Sequence, residues 1–332
     1  MSANSLTQGV LRFAPGTLLA VGVAAFSYAL SGAVGGPVMV YALIIGMACH
    51  GVMDHPRIKP GIEFSGRRIL RIGVALLGLR ITLGEVQALG WGTALIAVGS
   101  VAVTLVGGYW FARWVGLSRT FSILTAGAVA ICGASAALAI AAVLPRSDST
   151  DKQAILAVVG VNALSTVAMV AYPVFTQSLG WGDVAAGIFL GASIHDVAQV
   201  VGAGYIISPL AGETATLVKL IRVACLVPAV AVIAWMFHRR NDQAGGKPPP
   251  LPLFLIAFVV LVALNSTGLL PDLIVDPLRR ASGILLVVAV AALGVKTSLR
   301  GLVTVGVAPI GAMVAQTLII AVYAFAALVL VS

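Results

Sequence analysis

The chain has 332 residues, 60% of them hydrophobic and only 9% charged, with a mean hydropathy of +1.08 and a formal net charge of +9. A soluble protein has nowhere to bury so much apolar surface, so the composition excludes a water-soluble enzyme and points to one polytopic membrane domain over 1–332. The basic residues sit at the ends of apolar runs without aromatic interleaving, which argues against nucleic acid, and the isolated Cys49, Cys132 and Cys225 support neither a disulfide framework nor a zinc site.

In chain order, eleven runs are long enough to span a bilayer: 15–33, 37–53, 68–86, 92–113, 120–144, 153–178, 183–207, 214–238, 251–268, 280–300 and 304–331. The first leads directly into further spans without a small-x-small cleavage site, so it reads as a retained helix rather than a signal peptide. Arg239 to Pro252, polar and then proline-rich, is the one linker. With an odd number of crossings, one side carries Arg12, Arg57, Lys59, Arg67, Arg68, Arg71, Arg113, Arg119, Arg239, Arg240, Lys247 and Arg300. The other carries Arg146, Lys152, Lys219, Arg222, Arg279 and Arg280. That asymmetry predicts a cytoplasmic N-terminus and an outside C-terminus.

Weak internal similarity suggests a duplication of the kind secondary transporters use. Gly46 to Val52 (GMACHGV) matches Gly191 to Val197 (GASIHDV), and Arg68-x-x-Arg71 matches Lys219-x-x-Arg222. The expected all-α architecture is one extra helix (1–36) followed by two inverted five-helix repeats (37–180 and 181–332) with broken, crossing helices. A competing match of Ala75 to Arg80 (ALLGLR) with Ala291 to Lys296 (AALGVK) needs a seven-span offset that fits no complete repeat.

Breaks are expected in span five at Cys132, Gly133 and Ser135, and in span ten at Gly294, Lys296, Thr297 and Ser298. Glycine weakens a helix, Ser or Thr can cap a restarted one, and the freed N–H groups form an anion site. The alternative is that these small residues only let helices pack closely. Span seven holds Ser193, His195, Asp196 and Gln199, and ionisable groups at such depth normally face protein or a wet cavity. On a helix, His195, Asp196 and Gln199 share about 100° of arc and could couple proton movement. Alternatively, Ser193-x-x-Asp196 is a capping box. Lys296 either balances an anion's charge or snorkels; Arg80 is expected to behave similarly. Arg68, Arg71, Lys219 and Arg222 read as interfacial anchors, and His50 as an interfacial residue. Asn162, Ser165, Thr166, Asn265 and Gln316 read as helix–helix hydrogen-bonding residues.

One deep carboxylate against several cations favours an anionic substrate over a cation, which needs several oxygen ligands. The expected function is export of a small inorganic or sulfonated anion by alternating access, coupled to H+ or Na+, with no catalytic set, cofactor or metal. The alternative on the same fold is a monovalent cation/proton antiporter with Asp196 as carrier.

Four strings, 59–86 (KPGIEFSGRRILRIGVALLGLRITLGEV), 130–145 (AICGASAALAIAAVLP), 190–204 (LGASIHDVAQVVGAG) and 291–302 (AALGVKTSLRGL), resemble the YeiH-like sulfate exporter family, from about residue 37 onward. That resemblance implies a bacterial inner-membrane transporter of the cation/proton antiporter and anion transporter superfamily, with inverted five-helix repeats and a homodimeric assembly. It does not fix the anion. The chain has Cys-Gly-Ala-Ser at 132–135, where the family often has Cys-Gly-Gly-Ser.

Overall fold

The computed structural model describes residues 3–145, 148–238, 252–296 and 306–331. Its α-helices are α1 (Ala3–Val34), α2 (Val38–Ala48), α3 (Lys59–Phe64), α4 (Leu70–Leu77), α5 (Leu83–Ala88), α6 (Gly90–Trp114), α7 (Arg119–Ala130), α8 (Ala134–Ala141), α9 (Asp148–Ser178), α10 (Asp183–Ser193), α11 (Val197–Ile207), α12 (Pro209–Ala224), α13 (Leu226–His238), α14 (Leu253–Ser266), α15 (Asp272–Lys296) and α16 (Val307–Val331). Among the described residues, 6 helices are long and apolar enough to cross a membrane: Arg12–Val34, Gly90–Trp114, Ser149–Ser178, Pro209–Phe237, Asp272–Lys296 and Val307–Val331. The chain forms two compact units. One comprises Met1–Ala88, Tyr205–Glu213 and Leu253–Ser298; the other comprises Leu89–Gly204, Thr214–Pro252 and Leu299–Ser332. Each expected half therefore contributes to both units.

In the first unit, backbones approach closely at glycines. A methyl on Gly294 of α15 would lie 2.5 Å from the Leu43 carbonyl of α2, and one on Gly78, at the end of α4, would lie 2.5 Å from the Phe258 carbonyl of α14. Small residues permit such crossings where lipid offers no hydrophobic drive for association. Gly294 therefore packs, and α15 runs through it as unbroken helix to Lys296. The break expected in span ten is not at Gly294, and Thr297 and Ser298 lie outside the described residues. The Arg80 guanidinium donates to the Arg279 carbonyl at 2.9 Å and pairs with Glu213 at 3.6 Å. Arg279 in turn donates to the Leu79 carbonyl at 2.8 Å and to Asn265 Oδ1 at 3.1 Å.

The second unit has two ends that its contacts define. α6 and α16 are antiparallel. A methyl on Gly92 would meet Val331 at 2.7 Å, and the Gln316 amide donates to the Gly108 carbonyl at 3.0 Å. The start of α6 and the end of α16 thus share one end, with the α9–α10 turn, because Trp181 stacks on Phe325 at 5.4 Å. At the opposite end lie the end of α6 and the start of α7. The start of α9 joins them through the Gln153 to Ser118 hydrogen bond (3.2 Å), and the end of α13 through Arg119 over the Phe237 ring at 5.3 Å.

These contacts make hairpins of the two segments expected to be spans five and seven. A methyl on Gly127 of α7 would collide with Ile140 of α8. In a continuous helix, rising about 1.5 Å per residue, those positions would be roughly 20 Å apart. The α7–α8 pair therefore turns at Ile131–Gly133 and returns to the end it left, where α9 begins. The α10–α11 pair does the same from the other end. Residues 214–237 form roughly 35 Å of helix whose far end lies at Arg119. They therefore begin at the Trp181 end, where α10 also begins, so α11 must come back to the end that α10 left.

Candidate functional site

The two hairpin tips meet inside the second unit. Gly133 makes the first turn possible: its φ of 64° and ψ of −128° suit glycine and strain any residue with a Cβ. At the second tip, Ile194 is extended (φ −69°, ψ 144°) and α11 starts after Asp196. A methyl on Gly133 would lie 3.5 Å from Asp196 Oδ2, so the carboxylate of one tip faces the backbone of the other.

The ingoing helices α7 and α10 end at these tips, and the last carbonyls of a helix carry its negative dipole end. Two fully buried cations of α12 satisfy them. Lys219 Nζ donates to the Ile131 carbonyl at 2.7 Å and to the Ile194 carbonyl at 2.8 Å. The Arg222 guanidinium donates to Ala130 (2.7 Å) and Val129 (3.2 Å) in the first hairpin, and to Gly191 (2.9 Å) and Ile194 (2.8 Å) in the second. Buried cations are tolerated when their N–H groups are fully hydrogen-bonded, and here they also tie the two tips together.

The returning helices α8 and α11 begin at the tips, so both positive N-terminal ends are directed there. Asp196 caps α11: its Oδ1 accepts from Ala198 N at 2.9 Å, and its own amide donates to Ser165 Oγ of α9 at 3.1 Å. Gly133 gives α8 no side-chain cap. Gln199 Nε2 donates to the Asn162 carbonyl (3.3 Å) and to Thr166 Oγ1 (3.1 Å), and His195 Nε2 lies 3.0 Å from Thr317 Oγ1 of α16. Gln199 Oε1 and His195 Nδ1 are buried without a hydrogen-bond partner. The two N-termini, about +0.5 each, offset the single Asp196 carboxylate. Lys219 and Arg222 outweigh the two carbonyl ends, at about −0.5 each, so the tips keep a surplus of about one positive charge, which suits an anion.

The sequence-derived candidates separate into two sets. Cys132, Gly133, Ser193, His195, Asp196 and Gln199 converge at the tips. Ser135 lies exposed in the first turn of α8, which starts at Ala134 with Gly133 as its cap, so the serine is not the capping residue. Gly294 and Lys296 belong to the first unit. There His50 Nδ1 donates to the Val295 carbonyl at 2.9 Å, so His50 is a packing residue of that unit and not a counterpart of His195.

Ser193 closes α10, its hydroxyl donating to the Phe189 carbonyl at 2.6 Å, so the cap is Asp196 itself rather than a box begun by Ser193. The shared 100° arc also fails, because Ile194, His195 and Asp196 are not helical. His195 reaches α16, and Gln199 reaches α9 instead. Lys219 and Arg222 are the residues that sequence reasoning misplaced as anchors. The matched Arg68 and Arg71 are exposed, whereas this pair is fully buried. Depth was the available signal: Lys219 lies about 15 Å along the apolar helix that starts at Pro209, too deep for easy snorkelling.

A family described as conserved hypothetical protein 698 matches residues 15–313. A UPF0324 membrane protein of Chlorobaculum tepidum is 46% identical over 97% of this chain and 90% of its own length. The UPF0324 membrane protein TauZ of Paracoccus denitrificans is 45% identical over 96% of this chain and 95% of its own, and one from Rhizobium meliloti is 44% identical over 97% and 94%. On this agreement of family, composition and helical fold, the chain belongs to the conserved hypothetical protein 698 family of UPF0324 membrane proteins.

Proposed function

We propose that this membrane protein is a non-enzymatic secondary transporter that moves a small inorganic or sulfonated anion by alternating access, with the meeting of the two hairpin tips as its binding place. The observation that carries the reading is the polarity of the tips: Lys219 and Arg222 more than offset the carbonyl ends of α7 and α10, Asp196 caps α11, and the N-terminus of α8 has no side-chain cap. Irregular backbone at membrane depth is tolerated only where protein buries it or a cavity wets it. Half-helix N-termini aimed at anionic groups are a recurrent transporter solution. A cation carrier is disfavoured, since Asp196 already caps a positive helix end. Its role, with His195 and Gln199, is to couple anion movement to H+ or Na+.

The topology that fits this reading has nine crossings, made by α1, α2, α3–α4, α6, α9, α12–α13, α14, α15 and α16, with two re-entrant hairpins between them. Moving Arg146 and Lys152 to the side of the N-terminus raises its basic residues from twelve to fourteen. With Lys219 and Arg222 at the tips, only Arg80, Arg279 and Arg280 remain at the ends of spans on the other side. That is a far stronger positive-inside bias than eleven spans give, and it supports a cytoplasmic N-terminus and an outside C-terminus in an inner membrane.

Inverted repeats remain part of the reading, but in permuted order. α2, α3–α4, α6, α7–α8 and α9 correspond to α14, α15, α16, α10–α11 and α12–α13, each pair oppositely directed. The ALLGLR/AALGVK match then falls in register, with Gly78 and Gly294 each so close to the neighbouring helix that an added methyl would lie 2.5 Å from one of its carbonyls.

Flux of labelled sulfate, sulfite and simple sulfonates into proteoliposomes under imposed pH and sodium gradients tests the function. Gradient-dependent flux of at least one is expected; none for any of them refutes the proposal.

A further inference from the structure

We infer, on the reading that the tips hold an anion, that the Asp196 carboxylate is a tethered occupant of that place which the transported oxyanion must displace. Its position supports this. Oδ1 already accepts from the first turn of α11 at 2.9 Å, and Oδ2 faces Gly133, the cap of the otherwise uncapped α8. The carboxylate therefore sits where both returning N-termini converge. Neither ion pair among the described residues involves it, and Lys219 and Arg222 direct their N–H groups at carbonyls instead.

Two further observations point to an additional ligand. Asp196 is partly exposed, unlike the fully buried His195 beside it, so solutes can reach it. At the same tip, Gln199 Oε1 is buried without a hydrogen-bond partner; it can only accept, and a water carried in with the oxyanion would supply the donor. The two hairpins also differ in charge at this position. Ile131-Cys132-Gly133-Ala134 aligns with Ile194-His195-Asp196-Val197, and both isoleucine carbonyls take a hydrogen bond from Lys219. One tip offers a bare N-terminus, whereas the other brings its own acid.

The consequence is a sign opposite to that of a ligand. Asn is as good an N-cap as Asp, so Asp196→Asn keeps the fold of the tip while removing the competing charge. Cys132, His195, Lys219 and Arg222 stay in place. The test is thermal unfolding of the purified full chain in detergent, titrated with sulfate, sulfite, phosphate or nitrate at ionic strength held constant with gluconate. An anion that binds the folded state stabilises it according to its concentration relative to Kd.

We expect Asp196→Asn to reach the same stabilisation at about tenfold lower anion concentration than the wild type, for at least one of the four. Should the Asn variant not fold, Asp196→Ser, which also caps without charge, carries the same expectation. If no anion stabilises the neutral variant at lower concentration than the wild type, the tethered-anion role is overturned. Absence of wild-type flux in proteoliposomes would instead overturn the transport proposal, whichever way the binding shifts.

Discussion

Lys219→Met removes one of the two cations that hold the tips together and leaves a side chain of similar length. In the wild type, Nζ donates to the Ile131 and Ile194 carbonyls at 2.7 and 2.8 Å. Hydrogen bonds from a charged donor contribute about 1.5–3 kcal/mol each, and an unsatisfied buried carbonyl costs about 1–3 kcal/mol. Ile194 keeps its bond from Arg222 at 2.8 Å, so the larger loss falls on Ile131. Against this, the fold no longer has to desolvate an ammonium, which offsets several kcal/mol of the lost interactions. The balance is a destabilisation of about 2–3 kcal/mol, local to the tips. Hydrogen exchange in nanodiscs reads it directly: amides of 129–134 and 191–198 should exchange roughly 30- to 150-fold faster, at about 1.4 kcal/mol per tenfold. Exchange at both tips indistinguishable from wild type would refute the stapling argument.

The hairpin itself is open to cross-linking. In a background lacking Cys49, Cys132 and Cys225, Gly127→Cys with Ile140→Cys should form a disulfide on mild oxidation, because the two positions are in contact. A spanning helix would hold them roughly 20 Å apart and give none. Lys152→Cys should react with an impermeant thiol reagent from the same side as Arg119→Cys; labelling from opposite faces would restore span five as a crossing. Gly133→Ala should cost about 1–3 kcal/mol from its backbone conformation, since its methyl would be at ordinary contact distance from Asp196. Equal thermal stability of this variant and wild type would contradict the strained turn.

Much of the fold was legible from periodicity and composition. Long uninterrupted apolar runs such as 90–114 and 307–331 are helices close to the expected bounds. The discontinuities at Cys132-Gly133 and His195-Asp196 were also readable, because a glycine and an intramembrane acid are each conspicuous against apolar surroundings. What the sequence hid was direction. An apolar stretch of about 25 residues can cross the bilayer once or enter halfway and return, and hydropathy is the same for both. For α7–α8, the deciding information is tertiary: Gly127 against Ile140, and Ser118 against Gln153. The polar side chains of Ser165 and Thr166 in α9 are helix–helix partners, as their composition suggests, since they receive the amides of Asp196 and Gln199, whereas Asn162 contributes only its backbone carbonyl. Lys219 and Arg222 were not legible in this way, because their role depends on carbonyls that become free only when α7 and α10 stop.

Under the proposed nine-crossing topology, the same ambiguity of direction would explain why a repeat is hard to read in the sequence. Alternation counted through α7–α8 and α10–α11 as crossings gives α9 the polarity opposite to that topology, and it makes the ALLGLR/AALGVK match look like an impossible offset. Counted as hairpins, they reverse α9 alone. The pairing that follows sends α2 and α4 of the first unit to α14 and α15 of the same unit, and α6 and α9 of the second to α16 and α12–α13 of the second. A duplication need only preserve which elements pack together, not where the chain begins, so a permuted order carries no energetic penalty. On this pairing, the two tips are equivalent by descent, and Gly133 against Asp196 is a difference acquired at equivalent positions. Together with His195 against Cys132, this charge distinguishes the two hairpins, and the proposed carrier, whose hairpins would open to opposite sides, needs such a distinction if a coupling ion is to act on one of them.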